Sequence, residues 1–106
     1  MLLEISKNET EHVLELKVKG DIDVNTVRQL KKELEEHIER SPMRIVIDCS
    51  DLNYIDSTGL GTLVSALKKV QVYGGTIKVE ALKPYLIKIF EVTGLADLFE
   101  IEVTGA

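Results

Sequence analysis

The chain has 106 residues, 44% hydrophobic and 29% charged, a length that closes one core but not two and a balance too apolar for a disordered segment. Eighteen acidic against thirteen basic residues leave a formal charge of -5, so the surrounding field repels phosphate backbones and anionic headgroups, and neither nucleic acid nor membrane is expected as a partner. No apolar run approaches the roughly 20 residues that span a bilayer, and Met1 to Lys7 lacks the basic start and long apolar stretch of a secretory signal, so a cytoplasmic location is expected.

Taken in chain order, the first two elements read as strands. Leu3 and Ile5 alternate with polar neighbours, the polar stretch Asn8 to Glu11 breaks the run, and Val13 to Lys19 then sets Leu14, Leu16 and Val18 on one face against Glu15 and Lys17. An antiparallel pair near a sheet edge follows. After Gly20 the period changes: Val27, Leu30, Leu34 and Ile38 recur at helical steps, with Asp23 or Asn25 placed to cap the start. Lys31, Lys32, Glu35, Glu36, Glu39 and Arg40 make the opposite side of that helix a solvated face of mixed charge.

Ser41 and Pro42 stop the helix, and Ile45, Val46 and Ile47 stand consecutively in Arg44 to Cys49, which predicts a central strand buried on both faces. Cys49 is the single cysteine. It has no disulfide partner, follows an apolar run and reads as a buried structural thiol, and no Cys or His spacing suits zinc, so neither metal nor cofactor is expected. A second helix from Ser57 is carried by Leu60, Leu63, Val64, Leu67 and Val70 and ends at Gly74 and Gly75. Ile77, Val79 and Ala81 alternate in the next strand, Pro84 opens a third helix through Leu86, Ile89 and Phe90, Gly94 terminates it, and Phe99, Ile101 and Val103 suggest a short last strand. Strands alternating with helices predict an α/β domain with parallel later strands and helices over at least one face.

The chemistry lies in Asp51-Leu52-Asn53-Tyr54-Ile55-Asp56-Ser57-Thr58-Gly59-Leu60-Gly61, which joins the buried strand to the second helix. Gly59 and Gly61 each cost about 1 kcal/mol relative to alanine in a helix, so a close approach by another group is expected there. Asp56 or Ser57 caps the helix in the simplest reading. The same place also suits a switch: unpaired N–H groups at the helix start accommodate an anion, and a phosphate on Ser57 would add roughly -1.5 to -2 of charge beside Asp56, with Asp21 and Asp23 close by.

This segment resembles the phosphorylation motif of the anti-sigma factor antagonists, members of the STAS domain family. The resemblance spans nearly the whole chain: Gly20-Asp21-Ile22-Asp23 is similar to their turn before the first helix, Arg44-Ile45-Val46-Ile47-Asp48 to their central strand, and Ile89-Phe90-Glu91-Val92-Thr93-Gly94-Leu95 to their Phe-x-x-x-Gly-Leu segment. It implies one STAS domain over residues 1–106, a mixed four- to five-stranded sheet with an antiparallel N-terminal pair, and helices packed on it. It also implies a non-enzymatic regulator of transcription working by partner switching. Unphosphorylated, such a protein binds an anti-sigma factor that is also a serine kinase and so releases the sigma factor. Phosphorylation of the motif serine, Ser57 here, abolishes binding, and a serine/threonine phosphatase restores it. By the same likeness Asp21, Asp23, Asp56, Ser57, Thr58, Gly59, Leu60 and Gly61 belong to the docking surface, with Asp23 and Asp56 also open to a capping role. Asp21 stands where the family commonly has Glu, and Thr58 is a competing phosphoacceptor.

Three rivals remain at this level. An enzyme built on Ser57 needs a base, and His12 and His37 fall on a strand and on a helix face, both read as surface residues. A receiver-type module phosphorylated on Asp48, the residue expected to end the buried strand, would need a paired acidic cluster for magnesium. A STAS-type scaffold, ligand sensor or lipid-trafficking component would keep the fold and change the task.

Overall fold

Two hydrophobic periods, of two residues and of 3.6, alternate along the chain and build a layered structure. The computed structural model describes residues 2–103. In order they form β1 (Leu3–Glu9), β2 (Val13–Ile22), α1 (Val27–Ile38), β3 (Arg44–Ile55), α2 (Ser57–Gln71), β4 (Thr76–Leu82), α3 (Pro84–Val92), a 3₁₀ turn (Leu95–Asp97) and β5 (Glu100–Val103). The five strands make one sheet in sequence order. β1 and β2 are antiparallel, and every later pair is parallel because a helical crossover returns the chain to the same end.

Leu14, Leu16 and Val18 of β2, Ile45, Ile47 and Cys49 of β3, and Ile77 and Val79 of β4 are buried beneath the helices. They meet Leu30 and Leu34 of α1, Leu60, Leu63, Leu67 and Val70 of α2, and Leu86 and Phe90 of α3 in a single cluster. Phe90 packs edge-on against Phe99, ring centres 6.0 Å apart, an arrangement that aligns ring edge with ring face. The far side of the sheet is open. Glu15 and Lys17 are exposed there and Val46, Asp48, Lys78 and Glu80 only half-buried. Lys78 pairs with Glu102 at 2.8 Å and Glu80 at 3.6 Å, and Arg44 reaches Glu100 at 2.7 Å.

The structure corrects several expectations. β3 is buried on one face, with half-buried Val46 between Ile45 and Ile47, and it continues to Ile55, so Asp48 lies within the strand. Extension follows from pairing: β2 runs on to Ile22, and register shifts after Lys17 and Gly20 let Tyr54 and Ile55 meet Asp21 and Ile22. In β4 the alternation stops at Ala81, whose φ of 58° turns the chain so that Leu82 takes the buried place. Asn8 and Glu9, expected in a break, belong to β1.

His37 is not a surface residue. It is 3% exposed on the buried stripe of α1. Its Nδ1–H donates to the Glu33 carbonyl at 2.7 Å, and Nε2 lies 3.6 Å from the Glu9 carboxylate. Arg40 holds the same carboxylate through two bonds of 2.8 and 3.0 Å, and Lys7 reaches Glu33 at 3.3 Å. These polar contacts fasten α1 to β1, and they explain how an imidazole is accommodated in a place the periodicity reserves for an apolar residue.

Candidate functional site

The C-terminal ends of β2 and β3 lie side by side, so the turn into α1 and the turn into α2 meet. Ile22 O accepts from Asp56 N at 3.0 Å, which joins the two turns directly. In the first, Asp23 Oδ1 accepts from Asn25 N at 2.9 Å and Thr26 N at 3.1 Å, while Thr26 Oγ1 donates to the Asp21 carbonyl at 2.7 Å. Asp23 therefore shapes the approach to α1, as an Asx turn does. The residue at the N-cap position is Thr26, whose side chain makes no capping bond.

At α2 the cap is Asp56. Its Oδ1 accepts from Thr58 N at 3.0 Å, Gly59 N at 3.1 Å and Thr58 Oγ1 at 2.5 Å. The Thr58 hydroxyl chiefly, helped by the Gly59, Thr58 and Val24 amides and opposed by slight desolvation, holds the Asp56 carboxyl below the ordinary aspartate range. Ser57 is the first helical residue. Its side chain is exposed and makes no hydrogen bond within the described chain. The helix start differs from expectation in one respect: Asp56 already occupies two of its free N–H groups. A phosphate on Ser57 would thus stand beside a fixed carboxylate and not replace it at the mouth of the helix.

The eight residues that the resemblance assigns to docking separate by exposure. Ser57, Thr58 and Gly61 face solvent, and Asp23 and Asp56 are half-buried. Asp21, Gly59 and Leu60 are buried, at 8% exposure for Asp21 and 6% for Leu60. The two glycines have different reasons. A Cβ on Gly59 would come within 2.6 Å of Ile22 Cγ2 and 2.7 Å of Ile55 Cγ1, so the close approach expected at this position is made by the chain's own core. Around Gly61 there is nothing within 4 Å, and the residue opens a groove of about 240 Å³ between α1 and α2 whose walls include Thr58, Thr62, Lys31 and Lys69.

Val24 carries no role in the sequence reading, and Tyr54 stands in the motif stretch without one. They are 66% and 49% exposed and flank the turn into α2, Val24 through its amide beside Asp56 and Tyr54 two residues upstream. A Val between Asp23 and Asn25, and an aromatic residue in an otherwise polar strand end, were the available signals. Neither histidine is positioned as a base for Ser57. His12 lies in the turn before β2, at the opposite end of that strand from Asp21, and His37 is ten residues along α1 from Val27, roughly 15 Å at the helical rise. Cys49, 3% exposed, has its thiol pushed up to about 12 by burial first and then by Asp48 and Glu80. Among the described residues no cluster of three or more His, Cys, Asp or Glu is arranged to hold a metal ion, and no helix is long and apolar enough to cross a membrane.

The sequence profile of the STAS domain matches residues 4–105. The chain is 34% identical over 100 residues to an anti-sigma-B factor antagonist of Listeria monocytogenes, covering 94% of this chain and 87% of the relative. It is 34% identical over 102 residues to the anti-sigma-B factor antagonist of Bacillus subtilis, covering 95% and 92%. The crystal structure of an anti-sigma factor antagonist from Mycobacterium paratuberculosis superposes with a TM-score of 0.85 at 26% identity, covering 95% of this chain and 86% of that one.

Proposed function

The chain belongs to the STAS domain family, and from that premise we propose that it is an anti-sigma factor antagonist switched by phosphorylation of Ser57. With Ser57 unmodified it docks on an anti-sigma factor that is also a serine kinase, and the sigma factor is released for transcription. The kinase transfers phosphate to Ser57, docking is lost, and a serine/threonine phosphatase returns the chain to its binding form. The chain itself is not a catalyst, needs no cofactor of its own, and works in the cytoplasm. Asp23, Asp56, Ser57, Thr58 and Gly61 supply the contact surface. Asp21, Gly59 and Leu60 support it from below.

The observation that carries this reading is the free, exposed hydroxyl of Ser57 beside a carboxylate that is fixed and ionised. A partner seated there fits a neutral hydroxyl. A phosphate brings roughly -1.5 to -2 of charge onto the contact, next to a negative neighbour already present, and a like charge in a desolvated contact costs several kcal/mol. Calorimetric titration with the purified anti-sigma factor tests this. Ser57→Ala should bind as the unmodified chain does and stay bound when ATP is added, and Ser57→Asp should bind at least about tenfold more weakly, the equivalent of 1.4 kcal/mol. Equal affinities for the two variants would overturn the electrostatic account, because the first turn of a helix itself tolerates Asp and only an effect on docking separates the variants.

A further inference from the structure

Two hydroxyls stand next to each other at the start of α2, both exposed, and only one is engaged. Thr58 Oγ1 donates to Asp56 Oδ1 at 2.5 Å, the shortest of the three bonds which that oxygen accepts. Ser57 makes no side-chain hydrogen bond in the described chain. We propose that Thr58 is a positioning residue of the switch: by donating its hydroxyl hydrogen bond to Asp56 it fixes the carboxylate in the capping position and withdraws its own hydroxyl from phosphorylation, leaving Ser57 as the acceptor. The inference rests on the switch described under Proposed function.

Phosphoryl transfer makes demands that an engaged hydroxyl does not meet. A bond forms between the acceptor oxygen and the γ-phosphorus of a nucleoside triphosphate. The bond from that phosphorus to the bridging oxygen breaks, the nucleoside diphosphate leaves, and the hydroxyl proton passes to a base on the kinase. Thr58 can offer its proton to that base only by breaking a charge-assisted bond, a class roughly twice as strong as a neutral one. Asp56 is no substitute base, since the amides of Thr58 and Gly59 share its Oδ1 and favour the charged form. Ser57 has no such bond to break. Exposure does not separate the two hydroxyls, so the hydrogen bond decides between them.

Two variants and two readouts test the assignment. Thr58→Val keeps the shape and removes the hydroxyl, whereas Thr58→Ser keeps it. In a carboxyl-detected NMR titration the Asp56 midpoint should rise towards the ordinary aspartate value in Thr58→Val and remain low in Thr58→Ser. With the partner kinase and ATP, Ser57→Ala should take phosphate on Thr58 at below about one-tenth of the rate of Ser57 in the unaltered chain, the penalty for a lost charged hydrogen bond. With the kinase saturating, so that weaker docking by the altered contact surface does not enter, adding Asp56→Ala to Ser57→Ala should raise that rate about tenfold or more, with the site read by mass spectrometry, and an unchanged rate counts against the assignment. An Asp56 midpoint unmoved in Thr58→Val overturns the assignment, and so does Thr58 phosphorylation in Ser57→Ala as fast as that of Ser57. If the unaltered chain takes no phosphate at all, the switch reading fails, and the titration still decides whether Thr58 positions Asp56.

Discussion

Replacing Gly59 and Gly61 separately by alanine should move stability in opposite directions, although the two substitutions are chemically identical and one helical turn holds both. At 59 the new Cβ would stand 2.6 Å from Ile22 Cγ2 and 2.7 Å from Ile55 Cγ1, against the roughly 3.5–4.0 Å at which carbon atoms pack. Ile22 and Ile55 are 1% and 2% exposed, so neither can swing aside into water. Overpacking of this kind costs about 1–3 kcal/mol, and helix propensity returns about 1 kcal/mol of it. With two contacts under 3.0 Å against side chains that cannot move, the cost falls in the upper part of that range, about 2–3 kcal/mol, and a net loss of about 1–2 kcal/mol follows. At 61 no neighbour lies within 4 Å, only the propensity gain remains, and Gly61→Ala should be more stable by about 0.5–1 kcal/mol. The two variants should therefore differ by about 1.5–3 kcal/mol and melt roughly 6–24 °C apart, given about 4–8 °C per kcal/mol for a domain near this size. Urea titrations monitored by circular dichroism measure the difference directly. Equal midpoints for the two variants, or a Gly59→Ala protein as stable as the parent, would refute the claim that Gly59 is present to admit the two isoleucines.

Other outcomes follow from the same geometry. The Asp56 carboxyl is held below its ordinary 3.8, so its contribution to stability is complete above that value and disappears as the pH falls through the lower folded value. Asp56→Asn keeps a capping oxygen but no longer titrates, and its stability curve between about pH 2 and 6 should be flatter on the acid side than the parent's; parallel curves would contradict this. The Cys49 thiol, pushed up to about 12 and buried, should resist a thiol reagent at about pH 8, close to where a free cysteine reacts readily, and should become reactive in urea. Modification in native buffer at the rate of the unfolded chain would contradict its burial. Ala81 sits at a φ of 58°, a conformation that costs an L-residue about 1–2 kcal/mol and glycine nothing sterically. Ala81→Gly should raise the urea midpoint by the equivalent of about 0.5 kcal/mol after the added chain entropy, and Ala81→Val should lower it.

Much of the architecture was legible because burial here is one-sided and leaves its period in the sequence. The stripe Leu30, Leu34 on α1 and Leu60, Leu63, Leu67, Val70 on α2 is the same in both readings, and so is the buried set Leu14, Leu16, Val18 on β2. Periodicity failed where tertiary pairing overrides it. Ser50, Asp51, Asn53 and Tyr54 do not read as a strand, yet β3 includes them because β2 is long enough to pair with Asp51 and Tyr54, with Ser50 and Asn53 at the register shifts. His37, expected at the surface of a helix face, stands on the buried stripe of α1 with Leu30 and Leu34. Its burial depends on Glu9 and Arg40, and Glu9 lies on another element. At the site, Ser57 and the cap were visible as alternatives, and distances assign Asp56 to the cap. Asp23 or Asn25 is the expected cap of α1; Thr26 takes the N-cap position, and Asp23 closes the turn before it. The separation of Gly59 from Gly61 was not legible, since both present the same local cost and only the positions of Ile22 and Ile55 distinguish them.

The uncovered side of the sheet has its own consequence for how the protein behaves in a crowded solution. Opposite charges pair along and across the strands there: Lys17 of β2 reaches Asp51 of β3, Lys78 bonds Glu80 on its own strand and Glu102 on β5, and Arg44 of β3 reaches over β4 to Glu100. Each such pair is worth at most about 1 kcal/mol in water, yet a flat surface stacked on them would strip hydration from every member at once, at several kcal/mol per ion. The lattice of small ion pairs adds little to folding, but it makes the broad pleat an unrewarding place to adhere.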